Sequence, residues 1–186
     1  MKIIAFVGMP ASGKSEAAKA ARKKRIPVVV MGDVVRNEAM RRGLEPSDVN
    51  IGSVGDQLRA EDGMGAIAKR CVPEIHKLAG TGADRVVVVD GVRGLAEVAI
   101  FRREFGDDFT LVSIVAPIEI RLERISRRRR SDAIKSIESL RARDERELGW
   151  GIGDAIASAD HVIRNTGAIR KFRETVATVL DCGKGD

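Results

Sequence analysis

The chain has 186 residues, a length that favours one domain with a well-packed hydrophobic core. Hydrophobic residues make up 44% of it, no apolar run is long enough to cross a bilayer and no signal peptide precedes the first strand, so we expect a cytoplasmic protein without a membrane partner. The net charge of +6 admits polyanionic partners, but an aromatic content of 3% leaves few rings on which bases could stack, so a nucleic-acid partner is not favoured.

A phosphate-binding loop follows the first predicted strand. Lys2–Val7 is a short apolar run typical of a buried strand, and the Ala-rich residues 16–24 are typical of a helix. Residues 8–15 between them read Gly-Met-Pro-Ala-Ser-Gly-Lys-Ser, which fits the pattern Gly, four residues, Gly-Lys-Ser. Backbone N–H groups and the helix dipole favour a phosphate at such a junction, so the pattern predicts a nucleotide-phosphate site.

The residue types within this loop predict separate roles. Gly8 and Gly13 allow unusual backbone angles and a close approach of the phosphates. We expect Lys14 to reach the β- and γ-phosphates of ATP as a catalytic group, and the Ser15 hydroxyl to ligate Mg²⁺. The other residues predicted to bind the donor here are Pro10, Ala11, Ser12 and Glu16.

Candidate acceptor-binding residues follow a second predicted strand at residues 28–31. Asp33 and Arg36 lie at the start of the next predicted helix, where both side chains could overhang the carboxyl edge of the sheet. Ligands bind at this edge in open α/β sheets. Asp33 either caps the helix or accepts a proton or hydrogen bond from the acceptor. Two more helices are predicted at residues 49–61 and 65–79. Together they form a helical segment between two strands that is large enough to cover an acceptor.

A metal-binding candidate ends the clearest strand. Residues 85–90 form an unbroken β-branched run that closes with Asp90, as a central parallel strand covered on both faces requires. Asp90 either holds Mg²⁺, directly or through water, or serves as a turn or capping residue, and the upstream phosphate loop favours the metal-linked role. Arg93 follows, before a helix predicted at residues 95–105.

An arginine-rich flap is predicted after a fourth strand at residues 110–116. Pro117 opens a basic helix, and a second helix beginning at residues 131–132 carries further arginines. An arginine run is usually a solvated face or, at a terminus, a nucleic-acid-binding tail, but this one is internal. The glycine-rich residues 148–153 are a reasonable hinge, in which we expect Trp150 to be an apolar anchor. The arginines expected to meet the charge that develops in phosphoryl transfer are Arg124, Arg128 and Arg130.

In their order, these motifs resemble the nucleoside-monophosphate-kinase branch of P-loop proteins, which includes adenylate kinase and dephospho-coenzyme A kinase. Residues 32–36 (GDVVR) look like the acceptor-site motif of that family, and residues 90–93 (DGVR) resemble the adenylate-kinase segment whose Arg contacts the AMP phosphate. Residues 159–167 (ADHVIRNTG) are similar to the dephospho-coenzyme A kinase strand and turn beside the donor adenine. This resemblance implies that Asn165 and Gly167 bind the donor.

Over essentially its full length the chain is similar to an archaeal family of adenylate-kinase-related P-loop proteins. The resemblance implies a three-layer α/β/α fold with a five-stranded parallel sheet in the order 2-3-1-4-5. We expect one domain, with a core at residues 1–117 and 151–186, acceptor-site helices at residues 33–80 and an arginine-rich lid at residues 118–150. The lid follows neither the adenylate kinase pattern nor that of dephospho-coenzyme A kinase.

The leading functional prediction is a Mg²⁺-dependent transfer of the γ-phosphoryl group of ATP to a small phosphorylated or hydroxyl-bearing acceptor, with a nucleotide favoured. Such chemistry depends on positioning and charge neutralisation. Arg36 and Arg93 would orient the acceptor, with Asp33 beside them. The alternative, supported by the atypical lid, is an ATP- or AMP-binding switch that hydrolyses slowly or not at all and acts on a protein or RNA partner.

Overall fold

A five-stranded parallel sheet organises the fold, which the computed structural model describes over residues 1–79, 85–126 and 137–182. The strands are β1 (Lys2–Val7), β2 (Val28–Val30), β3 (Val86–Val92), β4 (Phe109–Val115) and β5 (His161–Arg164). Their order across the sheet is β2-β3-β1-β4-β5, and every neighbouring pair is parallel. The predicted fold class and strand order are confirmed.

Helices connect the strands and cover both faces of the sheet. They are α1 (Lys14–Lys23), α2 (Met31–Arg41), α3 (Asp48–Asp62), α4 (Ala66–Ala79), α5 (Leu95–Phe105), α6 (Ile118–Ser126), α7 (Ile137–Gly149), α8 (Ile152–Ala157) and α9 (Ile169–Cys182). A 3₁₀ turn at Gly106–Asp108 precedes β4. In the part of the chain that the structure describes, no helix has the length and apolar composition that a bilayer-spanning segment needs.

Two apolar cores, one on each face, hold the layers together. Successive residues of a strand point to opposite faces. From β1, Ile3, Ala5 and Val7 therefore pack into the core under α2, α3, α4, α5 and α8, whereas Ile4 and Phe6 pack against α1 and α9. Burial of each of the larger side chains stabilises the fold by about 1.5–3 kcal/mol. The cores fix the carboxyl ends of β1 and β3 side by side.

Strand boundaries differ from the sequence predictions by one or two residues, and two of these differences bear on the site. Met31 is the first residue of α2 rather than the end of β2, because β2 is an edge strand that pairs only with β3 and only over three residues. The strand β3 continues two residues past Asp90, to Val92, since β1 follows it through a register shift. Asp90 therefore lies within the paired strand, near its end.

The predicted hinge at residues 148–153 contains the end of α7, the beginning of α8 and the two-residue connection between them. Its role as a hinge stays a prediction. Gly151 adopts a left-handed backbone with φ of 88° and directly precedes α8. The second flap helix is described from Ile137 onward as α7, and the predicted start at residues 131–132 lies outside the described residues.

Asp160 links β4 to the segment that leads into β5. Its carboxylate accepts hydrogen bonds from the backbone N–H of Leu111 (2.7 Å) and from the Arg102 guanidinium (2.8 Å). Burial alone would raise the pKa of Asp160, but the two hydrogen bonds outweigh it and bring this pKa below the ordinary value of 3.8. The ionised carboxylate therefore stabilises the fold above that pH, and its contribution is lost as the pH falls through the lowered pKa.

We expect Asp160→Asn to lower the free energy of unfolding by about 1 kcal/mol at neutral pH, because a partly exposed charged acceptor is lost. The difference from wild type should shrink as the pH is lowered from about 4 to about 2. Urea unfolding across this range measures the effect, with Asp107→Asn in the 3₁₀ turn as the control. A pH-independent difference would contradict the role of the charge.

Candidate functional site

The phosphate loop lies between β1 and α1, and its geometry requires its glycines. Gly8 and Gly13 have φ angles of 155° and 126°. A Cβ atom at Gly8 would overlap the carbonyl oxygen of Ile114, and one at Gly13 would overlap the side-chain amide of Asn165. A larger residue at either position would therefore displace the loop.

The start of α1 presents a set of unpaired donors. Within the described residues, the backbone N–H groups of Gly13, Lys14 and Ser15 donate to no carbonyl, whereas that of Glu16 donates to the Gly13 carbonyl (2.9 Å). The Ser12 hydroxyl is fully buried and likewise lacks a hydrogen-bond partner there. Free N–H groups at the positive end of a helix dipole suit an anion, so these groups fit a phosphate.

The carbonyl oxygens of the same loop are held by cationic side chains. The Lys14 ammonium donates to the carbonyls of Gly8 and Met9, the latter at 3.1 Å. From α6, Arg121 donates to the Pro10 carbonyl at 3.1 Å. The loop therefore turns these carbonyl groups to protein donors and leaves the N–H groups of Gly13, Lys14 and Ser15 available.

Two further side chains tie the loop to the turn after β5. Arg124 donates to the carbonyls of Ser12 (3.0 Å) and Asn165 (2.7 Å). The amide Nδ2 of Asn165, a buried residue, donates to the same Ser12 carbonyl at 2.8 Å. The structure thus brings Arg124 and Asn165 to the phosphate loop, on its carbonyl side. Their predicted roles towards ATP stay predictions.

Glu16 and Gly167 were also predicted to bind ATP. Glu16 accepts hydrogen bonds from Lys19 (2.8 Å) and from Arg173 of α9 (3.0 Å). The hydrogen bond from Lys19 is the main reason that the pKa of Glu16 is lowered. Gly167 lies exposed in the turn before α9.

A buried ion pair joins α6, α7 and the phosphate loop. The Arg121 guanidinium donates to both carboxylate oxygens of Asp144, at 2.9 and 2.7 Å, as well as to the Pro10 carbonyl. The two side chains are 7% and 11% exposed. Parallel hydrogen bonds between a guanidinium and a carboxylate are among the strongest pairings in proteins.

Asp90 lies beside the phosphate loop, in register with Phe6 of β1. Burial raises the pKa of Asp90, and the positive charges of Lys14 and Arg93 partly oppose this. Burial also lowers the pKa of Lys14, while Glu147 and Asp90 raise it. The charges of Asp90 and Lys14 therefore shift each other's pKa, and Arg93 affects both.

Ser15 and Asp90 fit a magnesium ion that arrives with a nucleotide. Mg²⁺ in such sites takes one or two protein oxygens and completes its shell with phosphates and water. A hydroxyl in the first turn of α1 and a buried carboxylate at the adjacent strand end supply that number. Among residues 1–79, 85–126 and 137–182, no group of three or more His, Cys, Asp or Glu forms a metal site made of protein alone.

A second pocket lies between α2, α3, the connection from β3 to α5, and α7. It is lined by Val35, Asp48, Ile51, Gly52, Gly55, Arg59, Arg93, Arg143, Arg146, Glu147 and Trp150. Of the predicted acceptor-binding residues, Arg93 lines this pocket. Asp33 and Arg36 instead form an ion pair with each other, at 53% and 41% side-chain exposure. Asp33 does not cap α2, because Val30 is the N-cap and no side-chain cap bond forms there.

Arg93 is held in place by residues that the sequence analysis did not single out. Its backbone N–H donates to Glu97 at 2.7 Å, and Glu97 forms a buried ion pair with Arg59 at 3.3 Å. The Arg59 guanidinium lies 4.2 Å from the centre of the Trp150 ring, with Arg93 at 5.5 Å. Burial raises the pKa of Glu97, and the charge of Arg59 opposes it.

The contacts of Trp150 and Asp48 close α7 onto α3. The indole N–H of Trp150 donates to the Asp56 carboxylate at 2.7 Å. This residue therefore makes a polar contact with α3, whereas an apolar anchor was expected. Asp48 forms ion pairs with Arg143 (3.2 Å) and Arg146 (3.0 Å). Arg121 and Arg124 thus contact the phosphate loop, and Arg143 and Arg146 line the pocket, whereas Arg128 and Arg130 lie outside the described residues.

Glu147 is the most informative residue that sequence reasoning missed. Its side chain is 3% exposed, and its Oε1 atom lies 3.1 Å from Nε of Arg143 and 3.6 Å from Nε of Arg93. Burial would raise the pKa of Glu147, but the charges of Arg93, Lys14 and Arg143 lower it, so the carboxylate is ionised. A signal was present: Leu140, Asp144 and Glu147 follow helical spacing, and two members of this buried stripe are acidic.

Known proteins are similar in sequence to this chain over most of its length. Residues 7–141 match a family described as AAA domain. A UPF0200 protein from Methanosarcina mazei is 56% identical over 97% of this chain and 94% of its own length. A second UPF0200 protein, from Methanosarcina acetivorans, is 55% identical over 97% of this chain and 95% of its own length.

Solved structures share the fold at much lower identity. The TM-score is 0.62 for TT1252 from Thermus thermophilus, at 19% identity over 99% of this chain and 98% of that one. It is 0.58 for a shikimate kinase from Bacteroides thetaiotaomicron, at 15% identity over 97% of each chain. A gluconokinase from Sinorhizobium meliloti has a TM-score of 0.54 at 16% identity, over 97% and 94% of the two chains. The fold is therefore that of P-loop kinases.

We expect Asp144→Asn to destabilise the protein by about 3–5 kcal/mol, since the buried Arg121 charge loses its partner. The double variant Arg121→Met with Asp144→Leu should be less destabilised than this single variant, because no charge stays uncompensated. Chemical unfolding compares the two. A double variant as unstable as Asp144→Asn would show that the pair stabilises through more than charge balance.

Proposed function

The chain belongs to the AAA domain family and to the UPF0200 family of P-loop proteins, and from this membership and its site we propose that it is an ATP-dependent phosphotransferase with a small anionic acceptor. The single observation that carries the proposal is the charge environment that the loop and the pocket share. The phosphate loop has free N–H groups, and its Lys14 interacts electrostatically with Arg93, Arg143 and Glu147, which line the pocket together with Arg146.

The donor side of the proposal rests on the loop and α1. The free N–H groups of Gly13, Lys14 and Ser15 would bind the β- and γ-phosphates, and the Lys14 ammonium would leave the loop carbonyls to contact them. Magnesium, held by Ser15 and Asp90, would neutralise phosphate charge. Asn165 would contact the nucleoside end of ATP, as the resemblance of its turn suggests.

The acceptor side rests on the charged pocket. An anionic group of the acceptor would bind Arg93, whose backbone is fixed by the buried Glu97. Three guanidinium groups already approach the Trp150 ring, at 4.2, 5.5 and 5.7 Å. This crowding favours small phosphorylated or carboxylated acceptors, and a nucleotide acceptor would have to place its base elsewhere in the pocket.

The reaction follows from this geometry without covalent help from the protein. An acceptor oxygen attacks the γ-phosphorus, the bond to the oxygen that bridges the β- and γ-phosphates breaks, and ADP leaves with that oxygen. A phosphate acceptor needs no base, whereas a hydroxyl acceptor would have to give its proton to a carboxylate, and Asp33 could take it only by leaving its ion pair with Arg36. Arg124, Arg128 and Arg130 would neutralise charge on the transferred group.

Phosphoryl transfer should depend on Lys14. We expect Lys14→Ala to lower turnover by about 100- to 1000-fold, since a cation aimed at the developing charge is removed. Labelled ATP with a panel of nucleoside monophosphates, sugar phosphates and small hydroxy acids provides the assay, and Lys23→Ala on the exposed side of α1 is the matched control. Full activity in Lys14→Ala would refute the proposal, and ATP hydrolysis without any transfer would favour the nucleotide-switch alternative.

Arg93 and Arg36 should differ in their effect on the acceptor. Because Arg93 lines the pocket and Arg36 pairs with Asp33 at the surface, we expect Arg93→Met to raise the KM of the acceptor about 10- to 100-fold and Arg36→Met to change it less. The Kd of ATP, measured without acceptor, should stay close to wild type in both. A larger effect at Arg36 would place the acceptor at the exposed start of α2 instead.

A further inference from the structure

Glu147 occupies a place that suits a phosphate oxygen. It projects from α7 into the arginine pocket and carries a buried negative charge. A buried carboxylate is tolerated only when cations or hydrogen-bond donors compensate it. Here the compensating cations are Arg93, Arg143 and Lys14, which are the same groups that would bind substrate phosphates.

The compensation of Glu147 is incomplete. Both arginines approach one oxygen, Oε1, and the contact with Arg93 is 3.6 Å long. The buried Nε atom of Arg93 makes no hydrogen bond within the described residues. A single carboxylate thus faces three cations and leaves a buried donor unsatisfied, which a group with more oxygen atoms could satisfy.

Asp144, the other acidic residue in the buried stripe of α7, forms a structural ion pair with which Glu147 can be compared. Asp144 receives one hydrogen bond on each oxygen from Arg121, at 2.9 and 2.7 Å. Both carboxylate oxygens of Asp144 are therefore bonded within hydrogen-bond distance, although the buried Nε of Arg121 makes no hydrogen bond within the described residues. Glu147, one turn further along the helix, lacks such a fitted partner although it is more deeply buried.

We propose that Glu147 is a displaceable counter-ion, which holds Arg93 and Arg143 in place near Lys14 until a dianionic phosphate group of the substrate replaces it. The inference rests on the proposed function for the identity of the incoming group. A phosphate carries more charge and more acceptor oxygens than a carboxylate, so it competes well for three cations. A monoanionic ligand gains little from the exchange, and Glu147 therefore selects for phosphate.

The test compares Glu147→Gln with Glu145→Gln, an exposed residue of the same helix. Inorganic pyrophosphate and magnesium ATP are titrated without acceptor by calorimetry. We expect Glu147→Gln to bind both about tenfold more tightly than wild type, because the competing charge is gone, and Glu145→Gln to bind as wild type does. Unchanged or weaker binding by Glu147→Gln would overturn the proposal.

The single tryptophan reports displacement directly. Trp150 follows Glu147 by three residues and shares the pocket with it. Pyrophosphate should change the Trp150 fluorescence of wild type, and free Glu147→Gln should already resemble the ligand-bound emission. A Glu147→Gln variant that binds more tightly with no emission change in either protein would indicate general charge repulsion rather than displacement, and would also overturn the proposal.

Loss of a counter-ion could lower the stability of the free variant, so thermal unfolding keeps the test decisive. Saturating pyrophosphate should raise the Tm of Glu147→Gln more than that of wild type, since the ligand replaces the missing charge. An equal or smaller rise would mark Glu147 as a purely structural residue. None of these measurements requires phosphoryl transfer. A protein that binds phosphate but transfers none would refute the proposed function alone, and a kinase unaffected at Glu147 would refute this inference alone.

Discussion

The hydrogen bonds on the carbonyl side of the phosphate loop are the constraint on which the site depends. A loop that points several N–H groups at an anion must turn its carbonyls the other way, and buried carbonyls need donors. Here the donors are Lys14 of the loop itself and, from distant parts of the chain, Arg121, Arg124 and the Asn165 amide. The loop is therefore preorganised for phosphate only when α6 and the turn after β5 are packed against it.

This constraint explains how far the sequence could predict the site. The loop, its flanking strand and helix, and the parallel sheet follow from local patterns, because glycine spacing and apolar runs act over a few residues. The partner of an arginine is a tertiary property. Arg124 contacts carbonyls of the phosphate loop and of the turn after β5, which no local pattern predicts, and its expected role towards the transferred phosphoryl group stays a prediction.

The features that sequence reasoning missed share one physical cause. Glu147 and Asp48 gain their importance from contacts between α7 and other elements, and their partners are separated from them in sequence. Likewise Met31 has strand-like neighbours, but the short pairing of β2 and the burial of its side chain in the core fix it in a helix. Tertiary packing decides such cases against local propensity.

The strengths of the contacts made by α7 determine where an acceptor can enter. The buried pair between Arg121 and Asp144 costs several kcal/mol to break, so α7 stays attached to α6 and the loop at that point. The pairs of Asp48 with Arg143 and Arg146 are partly exposed, and such pairs contribute about 0–1 kcal/mol each. The contacts of α7 with α3 are therefore weaker than its contact with α6. Under the proposed function, an acceptor that replaced Asp48 as the partner of these arginines would cost little stability, so the α3 side is where we would expect it to enter.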